Sequence, residues 1–304
     1  MKIKPRFNLS PSWTKIAILF SGLAILLFSC VEEPIIDDPV KDPPPYAAIE
    51  KQIRSENDYR AVFTWSQYSQ LMDVLSEKKF LVLPLNEMRT VFDSTVVVVG
   101  LRHDIDVHPF KALEMADIEK HYAFRATYFV LATAEYYGIV INSKIVRRPE
   151  MDYLYKELYS KGAEIGIHND LLTLMILFKY DPLTFTLEEI SHYASLGIPV
   201  YGTAAHGSQI PKELLVSNYE MFSDFAARDS ITYNGTRYPV GKCSLKDCGL
   251  EYEAYHISYY HYYSESGGKW NDTNGFTGIL DKIKSSKPGD RIQILTHPDW
   301  WGKK

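Results

Sequence analysis

Two carboxylates and an imidazole close one apolar run, Val96-Val97-Val98-Val99-Gly100-Leu101-Arg102-His103-Asp104-Ile105-Asp106. β-Branched residues in succession predict a buried strand. Alternation along that strand puts Asp104 and Asp106 on one face, two residues apart. Crowded at a buried strand end they repel each other, so a positive group is expected beside them, and a divalent metal answers that need. Three further apolar runs end in a histidine. They are Glu164-Ile165-Gly166-Ile167-His168, the run from Pro199 to His206, and Arg291-Ile292-Gln293-Ile294-Leu295-Thr296-His297. Carboxylate and imidazole ligands without cysteine suit a borderline divalent ion that keeps a position open for water. Such an ion lowers the pKa of the water and polarises a carbonyl oxygen. A carboxylate outside the ligand set can take the water's proton, and a histidine on the opposite side can protonate a leaving amine or alkoxide. That chemistry is metal-assisted hydrolysis of an amide or ester.

For Asp106, His168, His206 and His297 to meet, their strands must lie parallel and deliver their carboxyl ends to one rim, as in a (β/α) barrel. The intervening sequence fits that order. Trp65, Tyr68, Leu71, Met72 and Leu75 recur at helical spacing, and Phe80 to Leu85 reads as a short strand. Pro109 opens a helix over 110–122, as proline does in a first turn. Arg125 to Val130 is the next strand. Helices follow over 149–161 and 187–196, each ended by a glycine, Gly162 and Gly197. Tyr255 to Tyr263 is an aromatic, β-rich run. Residues 47–304 read as one α/β domain with no internal repeat.

The 304 residues are 46% hydrophobic and 23% charged, an ordinary globular balance. Residues 1–29 read as a leader rather than as part of the fold. Lys2, Lys4, Arg6 and Lys15 form a basic segment, and the apolar stretch from Ile16 to Phe28 is short for a membrane span. Leu27-Phe28-Ser29-Cys30 resembles a bacterial lipobox, in which Cys30 is lipidated and becomes the new N-terminus. Residues 30–46, acidic and proline-rich, read as a tether. The expectation is a lipid-anchored protein outside the cytoplasm, on the outer membrane and displayed outward. Loss of the leader removes four cations and no acids, taking the formal charge from −5 to −9. An acidic chain argues against nucleic acid as a partner. No G-x-G-x-x-G run points to a nucleotide cofactor, and no G-x-S-x-G elbow points to a serine hydrolase. Cys243 and Cys248 are expected to close a local loop as a disulfide. His108, His121, His192, His256 and His261 show no partner pattern and read as surface or core residues.

Arg102-His103-Asp104-Ile105-Asp106, Phe124-Arg125-Ala126-Thr127-Tyr128-Phe129, Gly162-Ala163-Glu164-Ile165-Gly166-Ile167-His168 and Leu295-Thr296-His297-Pro298 fall in the order seen in polysaccharide deacetylases. Over residues 95–300 the chain resembles that family (carbohydrate esterase family 4), and within it a divergent branch that ends in His-Pro-x-Trp-Trp. The resemblance implies a distorted (β/α) barrel of the polysaccharide deacetylase type. It also implies a divalent metal, usually zinc, with cobalt, nickel or manganese admitted by the same ligands, and removal of N- or O-acetyl groups from a carbohydrate. Carried over, Asp104 is the base, Asp106 and His168 bind metal, and His297 is the acid. The family's further metal-binding histidine falls on Leu172. His206 is the preferred replacement and Asp170 the alternative, with Asp170 otherwise supporting the ligands from behind. No arginine motif for holding the base follows, so Arg102 or Arg125 is expected to hold it. His103 is expected to orient a site carboxylate. Trp300 and Trp301 are expected to wall the cleft, and Trp270 to stack on a sugar. The rival reading is a surface lipoprotein that binds glycan without turnover.

Overall fold

The computed structural model describes residues 43–303. The expected leader, Cys30 and the tether as far as residue 42 lie outside the described residues. No helix among the described residues is long and apolar enough to cross a membrane.

The main sheet is parallel throughout and has eight strands. They are β1 (Phe80–Leu83), β2 (Val97–Ile105), β3 (Thr127–Leu131), β4 (Glu164–Asn169), β5 (Val200–Ala205), β6 (Tyr252–Glu253), β7 (His261–Ser264) and β8 (Arg291–Thr296). Their order is β6-β5-β4-β3-β2-β8-β7, with β1 also paired to β2. β2 is long enough to take β1 along its first half, with Phe80 opposite Val97, and β3 along its second, with Arg102 opposite Thr127. Every residue of β2 is buried, which is why its sequence is a continuous apolar run rather than an alternating one.

Alternation still sorts the side chains of β2. Val97, Val99, Leu101 and Ile105 enter the larger core, with residues of the helices α2 (Trp65–Leu75), α3 (Pro109–His121) and α4 (Met151–Ser160). Val98 enters a smaller cluster with Leu83, Leu85, Met88, Phe129 and Tyr252. Arg102 and Asp104 continue this second face. Full burial of a side chain such as Phe129 contributes about 1.5–3 kcal/mol. The inner face is crowded enough to need glycine. A Cβ on Gly202 would lie 2.0 Å from the ring of Tyr252. The Tyr252 hydroxyl in turn donates to Glu164 at 2.7 Å. Gly202→Ala is therefore expected to displace Tyr252 and cost about 1–3 kcal/mol, as overpacking does. A thermal melt checks this, at about 2–4 °C per kcal/mol, and an unchanged midpoint would contradict it.

The sheet curls into a half-barrel, consistent with the expected α/β barrel class. Its end strands β6 and β7 are not paired with each other. The expected β run from Tyr255 to Tyr263 is strand only over His261–Ser264, and Ala254–His256 is a 3-10 turn instead. Two side chains account for the turn. Glu253 accepts the backbone N–H of Tyr255 at 2.8 Å, and Gln293 donates to the carbonyl of Ala254 at 2.8 Å. Cys243 and Cys248, expected as a disulfide, are unbonded buried thiols.

Register aligns the rim. Thr296 lies opposite His103, Asp104 opposite Phe129, Leu131 opposite His168, and His168 opposite Ala204. The carboxyl ends of β8, β2, β3, β4 and β5 therefore finish together, and the residues that follow them share one edge.

Candidate metal centre

Three side chains converge on that edge. Asp106 follows β2, His168 lies within β4, and His206 follows β5. One ligand atom from each lies within 4.8 Å of the other two. His168 Nε2 is 3.2 Å from Asp106 Oδ1, and His206 Nε2 is 3.8 Å from the same oxygen. His168 Nδ1 donates to the carbonyl of Ala204 at 2.9 Å, which fixes the tautomer and leaves Nε2 free to ligate. His206 is held by its surroundings. Its backbone N–H donates to Asn169, and its carbonyl accepts from Asn218 Nδ2 at 2.7 Å. Its Nδ1 faces Asp170 Oδ2 at 3.5 Å.

The donor set fits a borderline divalent ion: two imidazole nitrogens and one carboxylate oxygen. Asp106 Oδ1 and His206 Nδ1 are buried without a hydrogen-bond partner, the condition a cation among them would relieve at Asp106. Electrostatics points the same way. Burial works against the charge on Asp106, yet His168, His297 and His206 hold its carboxyl well below the usual range. Burial also works against a charged His206, and Asp170 and Asp106 outweigh it and raise that ring's pKa. Comparison with family models, with curated proteins and with solved structures returns no match. The site is therefore read from its own geometry.

Asp104 sits beside the three ligands, its Oδ2 3.4 Å from His168 Nε2. Arg102, on the same face two residues earlier, grips it with both edges of the fork. Nε donates to Oδ1 at 2.8 Å and Nη2 to Oδ2 at 2.7 Å. Both residues are buried, and Arg102 also stacks 4.3 Å from the Tyr255 ring. Burial alone would raise the Asp104 pKa, but the guanidinium holds it below the usual carboxylate range. Arg102 thus fills the holding role foreseen for Arg102 or Arg125. Arg125 lies at the surface and pairs with Glu87.

His297 follows β8 and is buried. Glu265, fully buried just after β7, accepts the backbone N–H of His297, the ring Nδ1–H at 2.9 Å and the indole N–H of Trp301 at 3.1 Å. Burial favours a neutral ring, but the Glu265 charge and hydrogen bond, with Asp106 and Asp104, push its pKa up to about 10.

Several expected placements are corrected. His103 does not orient a site carboxylate, because alternation turns it to the opposite face of β2. There its Nε2 meets Glu119 at 2.6 Å and its Nδ1 meets Thr296 at 2.6 Å. Trp301 is fully buried among Phe63, Tyr68, Trp270 and Phe276, and Trp270 packs in the same group, so Trp301 is a core residue rather than a cleft wall and Trp270 a core residue rather than a sugar platform. Trp300 is half-buried and carries Arg60 over its ring. Leu172 is buried at the start of α5 (Leu171–Phe178), so its position offers no ligand. Asp170 is not one of the three converging ligands. It lies behind His206, accepting from Ser208 at 2.7 Å and Asn218 at 3.1 Å.

Three residues went unforeseen. Glu265 directly follows a strand, the signal that marked the histidines. Asn218 ties together Asp170, the His206 carbonyl and, through its Oδ1, the backbone of Leu172. Glu253 accepts the N–H of Ala205 at 3.0 Å, directly before His206. Asn218 opens the 3-10 turn Asn218–Met221, and no sequence pattern marks it.

Proposed function

We propose that this chain is a metal-dependent hydrolase that removes acyl groups, acetyl above all, from a carbohydrate. In this reading the half-barrel is the distorted barrel of the polysaccharide deacetylase type, and Cys30 anchors the protein to a membrane outside the cytoplasm. The observation that carries the reading is the Asp106–His168–His206 group beside an arginine-gripped Asp104 and a glutamate-held His297.

A divalent ion held by Asp106, His168 and His206 would supply a more acidic water and a polarised acyl oxygen. Asp104, kept ionised by Arg102, accepts the proton of the attacking water. The bond from the acyl carbon to nitrogen or oxygen breaks as His297 delivers a proton to the leaving atom. Glu265 occupies His297 Nδ1, which leaves Nε2 as the atom that gives that proton.

The test is metal content of the purified protein together with acetate release from acetylated oligosaccharides. Near-stoichiometric metal with zinc-dependent acetate release is the expected result. A protein that takes up no zinc and releases no acetate, yet binds glycan, would replace this reading with the capture protein.

A further inference from the structure

A cavity of about 360 Å³ begins at Asp106 and runs out between α1 (Ala47–Asn57), with the turn after it, and the loop that follows β3. Two arginines line it, Arg60 in the turn after α1 and Arg148 beyond the loop that follows β3. Arg60 is held by an ion pair and Arg148 by a hydrogen bond. Arg60 Nε lies 3.5 Å from Asp299 Oδ2, and its guanidinium carbon sits 5.0 Å over the ring of Trp300. That Nε is buried and makes no hydrogen bond. Arg148 Nε donates to the carbonyl of Glu135 at 3.2 Å. The cavity's acids other than Asp106 are Glu56 and Glu135, and both are exposed, whereas the two arginines are half-buried. A guanidinium fixed at one edge presents its terminal N–H groups as a planar fork, the shape that matches a carboxylate.

We propose that this cavity takes a carboxylate-bearing sugar unit of the substrate, set between Arg60 and Arg148, so that the glycan acted on is acidic. The proposal rests on the hydrolase reading for the word substrate, but the cavity's preference is measured without turnover.

The experiment is titration calorimetry of the full chain with an acetylated oligouronide. The control is the same oligomer with its carboxyl groups reduced to neutral alcohols. Both are run with and without zinc, at low and at physiological salt. The acidic oligomer is expected to bind at least about tenfold more tightly, the loss typical of one charge-assisted contact. Salt should weaken that preference. Arg60→Gln and Arg148→Gln should each remove most of it, and a melting temperature at the wild-type value shows that the variants are folded. Equal affinity for the two oligomers, no binding of either, or a preference that survives in the double variant would overturn the proposal. A protein that prefers the acidic oligomer but releases no acetate fails the hydrolase reading alone.

Discussion

His297→Ala is expected to lower turnover roughly 10²–10⁴-fold, the usual contribution of a positioned general acid, and to leave bound metal at the wild-type level. Metal is retained because His297 is not one of the three side chains whose ligand atoms converge. Glu265→Gln separates the two things Glu265 does. It keeps the volume and an acceptor for Trp301 but removes the charge that holds His297 protonated. Burial then acts on the ring with less opposition, and its pKa falls from about 10 toward the ordinary value near 6.5. A rate that needs protonated His297 is lost as pH rises through the ring's pKa, so the basic limb of kcat/KM should move down in the variant. Stability follows the same sign. The folded pKa exceeds the unfolded one, so this contribution is complete below about pH 6.5 and disappears as pH rises through about 10. The pH profile of kcat/KM, read beside metal content, decides the matter. An unmoved basic limb in Glu265→Gln would remove His297 from the role of acid.

Most of the rim was legible because a parallel sheet writes its functional groups into sequence as polar residues that close apolar runs. Asp106, His168, His206 and His297 all follow that rule, and the register of the sheet brings their strand ends level. The same rule covers Glu265, one residue beyond β7, but the aromatic run reads as ending at Tyr263 whereas the strand continues to Ser264. The alternation that paired Asp104 with Asp106 also assigns His103 to the other face, and nearness in sequence to the carboxylates obscured this. Nearness misled again at Trp301. The turn Pro298–Trp300 carries the chain away from the rim within three residues and seats Trp301 in the core. The hairpin Ser230–Tyr233 with Thr236–Pro239 was within reach of sequence, since Asn234-Gly235 supplies two positive φ angles in a two-residue turn. The helix α1 was not. Its apolar stripe is only Ile49 and Ile53, too short to stand out beside the proline-rich run, and part of its hold on the domain is the pair of Arg54 with Glu114 at 2.5 Å. What remains illegible is what depends on contacts far apart in sequence, such as the clamp of Asn218 on Asp170 and His206.

His206→Ala should abolish metal binding, because it removes one of the three converging side chains, and the carboxylate beside them, Asp104, has both oxygens held by Arg102. Leu172 is apolar and buried in α5, so it cannot serve. Asp170 cannot swing in cheaply either. Its Oδ1 is engaged by Ser208 and Asn218, and its Oδ2 by Thr133 at 3.3 Å. Asp170→Asn provides the graded comparison. It leaves all three ligands in place but removes the charge behind His206, and changes of that kind weaken metal affinity by about 10–100-fold. The loss in His206→Ala should exceed it. Zinc that binds only the folded protein stabilises by mass action, about 4 kcal/mol at a thousandfold excess over Kd. The wild-type melting temperature should therefore climb with added zinc, and the climb should shrink in Asp170→Asn and vanish in His206→Ala. Melts without zinc show whether each variant is folded. Elemental analysis gives the stoichiometry independently of stability. A His206→Ala protein that keeps both the zinc-dependent climb and the metal would place the ion elsewhere, and the hydrolase reading would lose the arrangement on which it depends.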